Sequence, residues 1–240
     1  MRIDKDCWLK TTPIAHRGLW GEGFIENSLP AYENAVNNGF AIEIDLYLST
    51  DGVLFSFHDK TLERMTGEKG FIYEKTASEL KKLRLGSSEH SIPTFDEVLS
   101  LVDGKVPLLI EIKNQPNKAV VDKTVERLKS YKGEFALQSF NPLYIKRVKK
   151  LAPEFLRGIL GTNVKEKTES NFTNFIINKM PLNFLIKPDF ISYHYSGYPL
   201  KKSKSKNKAL LAWTVTSPEI ADTAYKFCDN IIFEHFVPKR

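Results

Sequence analysis

Two cysteines, Cys7 and Cys228, are all that 240 residues contain. They are too few for a disulfide framework and have no metal-ligating spacing, so both thiols are expected to be reduced. No apolar run approaches the ~18 residues that cross a bilayer. The opening MRIDKDCWLKTTPIAHRG carries charges where a secretory signal has an apolar stretch and a small-residue cleavage site. A cytoplasmic protein with no stable membrane insertion is the expectation. No glycine-rich phosphate fingerprint follows the first apolar strand, which leaves a dinucleotide-binding fold without support. Acidic charge is also in deficit, with a formal net charge of +6, but KKSKSKNK at 201–208 alone holds five lysines. The excess is therefore one segment. No aromatics interleave it to stack bases, so it reads as a solvated helix end or loop and no nucleic-acid partner is expected.

What is present is an alternation. Apolar runs of strand length occur at 13–16, 40–48, 106–113, 134–140, 154–160, 188–194, 209–215 and 230–235. Amphipathic helical patterns lie between them, at 28–39 (with Asn27 or Ser28 as cap and Gly39 as terminator), 117–133, 141–153, 168–186 and 217–228. Strand then helix, repeated, gives parallel strands joined by right-handed crossovers. Eight strands in one 1–240 domain predict an α/β fold, a (β/α)8 TIM barrel, over an open doubly wound sheet. Two stretches depart from the alternation. Thr50-Asp51-Gly52 is a turn signal that folds 53–57 back as a hairpin and delivers His58, and a small insertion follows the second strand at about 60–95, with a short helix near 77–84. VPKR closes the chain almost directly after the last strand, so the eighth helix is missing or truncated, and that flank falls to residues 1–12 or to another subunit.

Carboxyl ends of barrel strands converge on one mouth, and residues i and i+2 of a strand face the same way. His16 and Arg17 end the first strand, Glu43 and Asp45 share a face of the second, and Glu111 and Lys113 repeat the spacing in IEIK. Inward carboxylates repel unless a cation or proton lies between them. Three from neighbouring strands form an all-oxygen set suited to Mg2+ or Ca2+. An acid pair at one strand end can be mere solvent-facing polarity, but two such pairs beside two strand-end histidines point to chemistry.

HRG, ENS with its helix, EIDLYLSTDGVLFSFHD, TLERMTG, IPTFDEVL, LLIEIK, QSF and AWTV, in this order and spacing, resemble the glycerophosphodiester phosphodiesterase family over nearly the whole chain. The resemblance implies a TIM-barrel hydrolase that uses one divalent cation to cut glycerophosphodiesters, small-molecule substrates, into glycerol 3-phosphate and an alcohol. Carried over by position, Glu43, Asp45 and Glu111 would be metal ligands and His16 and His58 the acid/base pair. Arg17 and Lys113 would bind the phosphate, and Phe140 and Trp213 would line the pocket, though a strand-end aromatic is as readily core packing. The family mechanism implies that the substrate's glycerol hydroxyl attacks first, giving a cyclic phosphate that water then opens. Glu26 and Asn27 read more cheaply as a loop acid and a helix cap.

The pattern is not complete. Where the family has DGIITD this chain has DNIIFEH, with Asn230 and Glu234, and Thr216 replaces the asparagine of WTVN. These changes bear on substrate preference and on oligomer formation rather than on the acids and histidines. Two other readings remain: a sphingomyelinase D-like or lysophospholipase D enzyme acting on lipid phosphodiesters, and a non-catalytic phosphate-binding barrel. The first belongs with secretion, which the N-terminus disfavours; the second has no use for paired proton-transfer groups.

Overall fold

The computed structural model describes residues 3–21, 23–164 and 170–239. In chain order the strands are β1 (Ile14–Ala15), β2 (Ala41–Leu48), β3 (Leu54–Ser56), β4 (Leu108–Ile112), β5 (Phe135–Ser139), β6 (Arg157–Gly161), β7 (Phe190–His194), β8 (Ala209–Val215) and β9 (Asn230–Phe233). The helices are α1 (Trp8–Thr11), α2 (Leu29–Asn37), α3 (Glu63–Thr66), α4 (Ala77–Lys82), α5 (Phe95–Val102), α6 (Ala119–Leu128), α7 (Pro142–Leu151), α8 (Asn171–Lys179), α9 (Asn183–Ile186), α10 (Lys202–Ser205) and α11 (Pro218–Ala224). The sheet order is β1-β9-β8-β7-β6-β5-β4-β2-β3, and β1 also pairs with β2. Eight strands thus close into a (β/α)8 barrel, and β3 is the added hairpin strand. No helix among the described residues is long and apolar enough to cross a membrane.

The chain divides into two compact units, residues 15–135 and residues 1–14 with 136–240. In the first, every residue of β2 is buried, as a strand covered on both sides requires. It pairs with β4 in parallel, Asp45 opposite Glu111, and with β3 antiparallel, Leu46 opposite Ser56. The register alone therefore sets two of the candidate acids side by side. Ser28 caps α2 by accepting from the Ala31 N–H, and Pro30 sits in the first turn, so the cap is Ser28 and not Asn27.

The insertion carries its own small core. Leu62, Ile72, Leu80, Leu85 and Ile92 pack with Tyr47, Phe55 and Phe57 of the hairpin. The capping boxes Thr76–Glu79 and Thr94–Glu97 start α4 and α5. A helix that the sequence reading did not anticipate, α3, lies at 63–66.

In the second unit β5 to β9 pair in parallel in sequence order. The expected 168–186 helix is two helices: Met180 takes a left-handed conformation (φ 48°) and Pro181 follows, ending α8 before α9 begins. Residues 168 and 169 lie outside the described residues. No helix follows β9 among the described residues. Instead α1 packs against β8 and β9, and the Asn230 amide donates to the carbonyls of Leu9 (3.2 Å) and Thr12 (2.7 Å). The N-terminal segment takes that flank, and Asn230 is what ties it down.

Candidate active site

The site is built in the 15–135 unit. Because β2 presents alternate residues to one face, Glu43 and Asp45 emerge together, and the β2–β4 register adds Glu111. All three are buried, and one oxygen from each lies within 4.8 Å of the other two. Lys113 reaches into this cluster, its Nζ 3.2 Å from Asp45 Oδ1 and 3.0 Å from Glu111 Oε1.

Burial, followed by the charges of Asp45 and Glu111, pushes Glu43 well above the usual carboxylate range, and burial likewise raises Glu111. Burial also works against an ionised Asp45, but Lys113, then His58, Arg17 and His16, overcome it and hold Asp45 well below its ordinary value. Lys113 stays protonated for the mirror-image reason: burial opposes its charge, and Asp45 and Glu111 more than offset that.

The donor set fits a hard divalent cation. Three carboxylate oxygens converge, and buried Asp45 Oδ1 has no well-aligned hydrogen-bond partner despite the nearby ammonium. One lysine does not neutralise three acids.

The HRG corner positions the next groups. Arg17 adopts a left-handed backbone conformation (φ 59°), which turns its N–H onto Glu43 Oε2 at 3.1 Å while its carbonyl accepts from the Asn27 N–H. Gly18 follows at φ 86°, and a Cβ there would lie 2.9 Å from the Ala31 carbonyl carbon. Only glycine fits. His16 Nε2 stands 4.0 Å from Glu43 Oε2. The Arg17 Nη1 donates to both oxygens of Glu26, at 3.2 and 3.1 Å.

His58, at the end of the hairpin, bonds through Nδ1 to Asp59 Oδ1 at 2.8 Å. Burial, then Lys113, lowers it to about 4 against the upward pull of Asp45 and Asp59. It is therefore neutral at physiological pH, with the Nδ1 proton assigned to the Asp59 bond and the Nε2 lone pair left over.

Sequence reasoning missed a supporting layer. Arg64, from the insertion, bonds Asp59 Oδ2 (2.6 Å) and Oδ1 (2.9 Å) and also Glu26. The Asn27 amide donates to Asp45 Oδ2 at 3.2 Å, and the Tyr32 hydroxyl donates to Asn27 Oδ1 at 2.7 Å. Glu26 is thus more than a loop acid, and Asn27 fixes a site carboxylate. The adjacency of the ENS and TLER motifs to the HRG and FHD motifs was the available signal, but which residue meets which depended on the fold.

Phe140 and Trp213 belong to the other unit. Their rings meet edge to face at 5.6 Å, and His194 meets Trp213 the same way at 5.4 Å. His235, beyond β9, stands 3.6 Å from Glu234.

A model of the glycerophosphoryl diester phosphodiesterase family matches residues 16–232. Among curated proteins, a glycerophosphodiester phosphodiesterase of Caldanaerobacter subterraneus subsp. tengcongensis is 35% identical over 164 residues, 63% of this chain and 67% of the relative. One from Bacillus altitudinis is 32% identical over 170 residues, 64% of this chain and 68% of the relative. Among solved structures, an Oleispira antarctica phosphodiesterase in complex with the product sn-glycerol-3-phosphate superposes with a TM-score of 0.79 at 26% identity, covering 92% of each chain. A glycerophosphodiester phosphodiesterase from Parabacteroides distasonis does so at 0.76 and 26%, covering 93% of each.

Proposed function

We propose, from the premise that this chain belongs to the glycerophosphoryl diester phosphodiesterase family, that it hydrolyses glycerophosphodiesters to glycerol 3-phosphate and an alcohol at the acidic cluster of the 15–135 unit. The supporting observation is the convergence of Glu43, Asp45 and Glu111 within 4.8 Å, with His16 Nε2 4.0 Å from Glu43 Oε2.

Glu43, Asp45 and Glu111 would hold one divalent cation, Mg2+ or Ca2+, which when bound would supply charge stabilisation at the non-bridging phosphate oxygens. The protein side of the reaction follows from the residues. Arg17 offers a planar fork of donors to phosphate and Lys113 a point charge, both placed where negative charge grows as the ester is cleaved. The neutral imidazole of His58, with Nδ1 held by Asp59, takes the proton from the attacking hydroxyl, and His16 gives one to the departing alkoxide. The glycerol hydroxyl of the substrate attacks first and the roles reverse when water opens the cyclic phosphate. Phe140 and Trp213 are assigned as pocket aromatics on the resemblance and their strand-end positions.

The test is release of glycerol 3-phosphate from a panel of glycerophosphodiesters, with choline lysophospholipids alongside, in Mg2+, in Ca2+ and in chelator. Turnover of the glycerophosphodiesters that chelator abolishes, and that His16→Ala or His58→Ala each lowers by at least ~100-fold, is the expected result. Turnover that ignores chelator sinks the metal assignment. Turnover confined to lysophospholipids moves the protein to the lipid-phosphodiester reading, and none at all leaves a phosphate-binding barrel.

A further inference from the structure

The lysine-rich segment has no part in the reaction above, and its surroundings give it another use. Three phenylalanines on the neighbouring helices face solvent: Phe172 and Phe175 on α8, at 72% and 51% exposure, and Phe184 on α9, at 75%. On a helix, positions 172, 175 and 179 fall within an arc of about 60°, so Phe172, Phe175 and Lys179 form one outward stripe. No side chain of α8 itself is buried, and the inward contact at its end is Met180, which follows the helix and joins the core of the unit with Ile159 and Ile191. The three phenylalanine rings take no part in that core.

Charge surrounds them. Residues 170–208 contain seven lysines and one acid, Asp189. That acid is buried, accepts from the Arg157 N–H at 3.1 Å, and has the Arg157 guanidinium 3.9 Å away. The lysine run is fastened beside the stripe by Lys204, whose Nζ donates to the Asn178 carbonyl of α8 at 3.0 Å. Burial and then the like charges of Lys179 and Lys201 lower the Lys204 ammonium, a sign of how closely the lysines crowd there. On the α9 side, Lys149 donates to the Leu185 carbonyl at 3.0 Å, and is lowered by burial and then by Lys187, Arg157 and Lys146. Phenylalanines at such exposure, on helices that carry and adjoin lysines with no ion-pair partner among the described residues, match what an anionic interface requires: apolar groups to enter the acyl boundary and cations to meet the headgroups.

We propose that the outward face of α8 and α9, with Lys179, Lys187 and the 201–208 lysines, is a docking surface for an anionic phospholipid bilayer. A second copy of this chain fits less well, because a two-fold contact would set the same lysines against themselves. The inference is independent of the catalytic reading, since it uses none of the site residues.

Co-sedimentation of the full chain with vesicles tests it. Binding to a phosphatidylcholine–phosphatidylglycerol mixture, little binding to phosphatidylcholine alone, and loss of binding as salt rises are the expected pattern. The triple variant F172A/F175A/F184A should lose most of the binding while melting like the wild type. Lys179→Ala and Lys201→Ala should each weaken it about fivefold. If the triple variant does not fold, Phe184→Ala alone serves, and it should still weaken binding measurably. No binding to the mixture, binding indifferent to the phenylalanine substitutions, tighter binding to a single-stranded oligonucleotide than to the vesicles at equal charge, or a wild-type dimer that the triple variant dissolves would each overturn the proposal.

Discussion

Lys113 holds its ammonium 3.2 Å from Asp45 Oδ1, inside a cluster where that oxygen has no well-aligned hydrogen bond. Lys113 contacts two of the three buried acids, Asp45 and Glu111, and Glu43 bears the cost, with burial and its acidic neighbours opposing its ionisation. In metal-free protein at neutral pH, Glu43→Gln should melt no lower than the wild type, because an amide has no ionisation for burial and the neighbouring acids to oppose. Saturating Mg2+ or Ca2+ should stabilise the wild type by about 2.7 kcal/mol at a hundred times Kd. The variant should lose that gain. Thermal melts with and without divalent ion check both; an equal gain in Glu43→Gln removes Glu43 from the ligand set.

His58 makes the fold sensitive to acid. Its folded value is lowered to about 4, first by burial and then by Lys113, whereas an unfolded histidine titrates near 6.5. Between those values the unfolded chain binds more protons than the folded one, so this contribution is intact above about pH 6.5 and is lost as pH falls towards 4. His58→Gln should reduce the slope of stability against pH in that window by close to one proton. Urea titrations at a series of pH values on chelated protein would show it, and an unchanged slope would place the acid sensitivity elsewhere.

Arg64 holds both Asp59, the partner of His58, and Glu26, the partner of Arg17. It acts as a positioning residue. Arg64→Ala should lower kcat/KM by on the order of tenfold to a hundredfold, the range seen when a partner that orients a site group is removed. Guanidinium ion in the assay should recover part of it, and Arg64→Lys should fall between. A loss of melting temperature with unchanged kinetics would show that Arg64 only pins the insertion.

Gly18 should tolerate no side chain. At φ 86°, with a Cβ 2.9 Å from the Ala31 carbonyl carbon, alanine is strained and also clashes with backbone that cannot move independently of α2. Gly18→Ala is expected to cost more than about 1 kcal/mol of stability. It should also weaken phosphate affinity by disturbing Arg17, measured as a rise in the product inhibition constant. Gly23→Ala, where nothing lies within 4 Å of the added Cβ despite φ 99°, is the control for backbone strain alone.

Much of this was legible without coordinates. Eight strands separated by helical patterns and the hairpin return at Thr50-Asp51-Gly52 follow from periodicities and turn residues that each depend on a few neighbours in the chain. So does the pairing of Glu43 with Asp45 and of Glu111 with Lys113, since the two-residue period of a strand fixes which side chains share a face.

What only the tertiary structure decided are the relationships between segments. That Asp45 lies opposite Glu111 is a matter of register, and that Asn27 serves Asp45 rather than capping α2 depends on where the loop crosses β2. Glu26, Asp59 and Arg64 look in sequence like ordinary loop and helix-end charges, and acquire roles because the insertion folds back over the HRG corner within the same unit. The splitting of the 168–186 stretch at Met180, and the exposure of its phenylalanines beside the lysine run, were likewise hidden: an amphipathic pattern states that one face is apolar, while only packing determines which apolar residues find partners and which are left facing water.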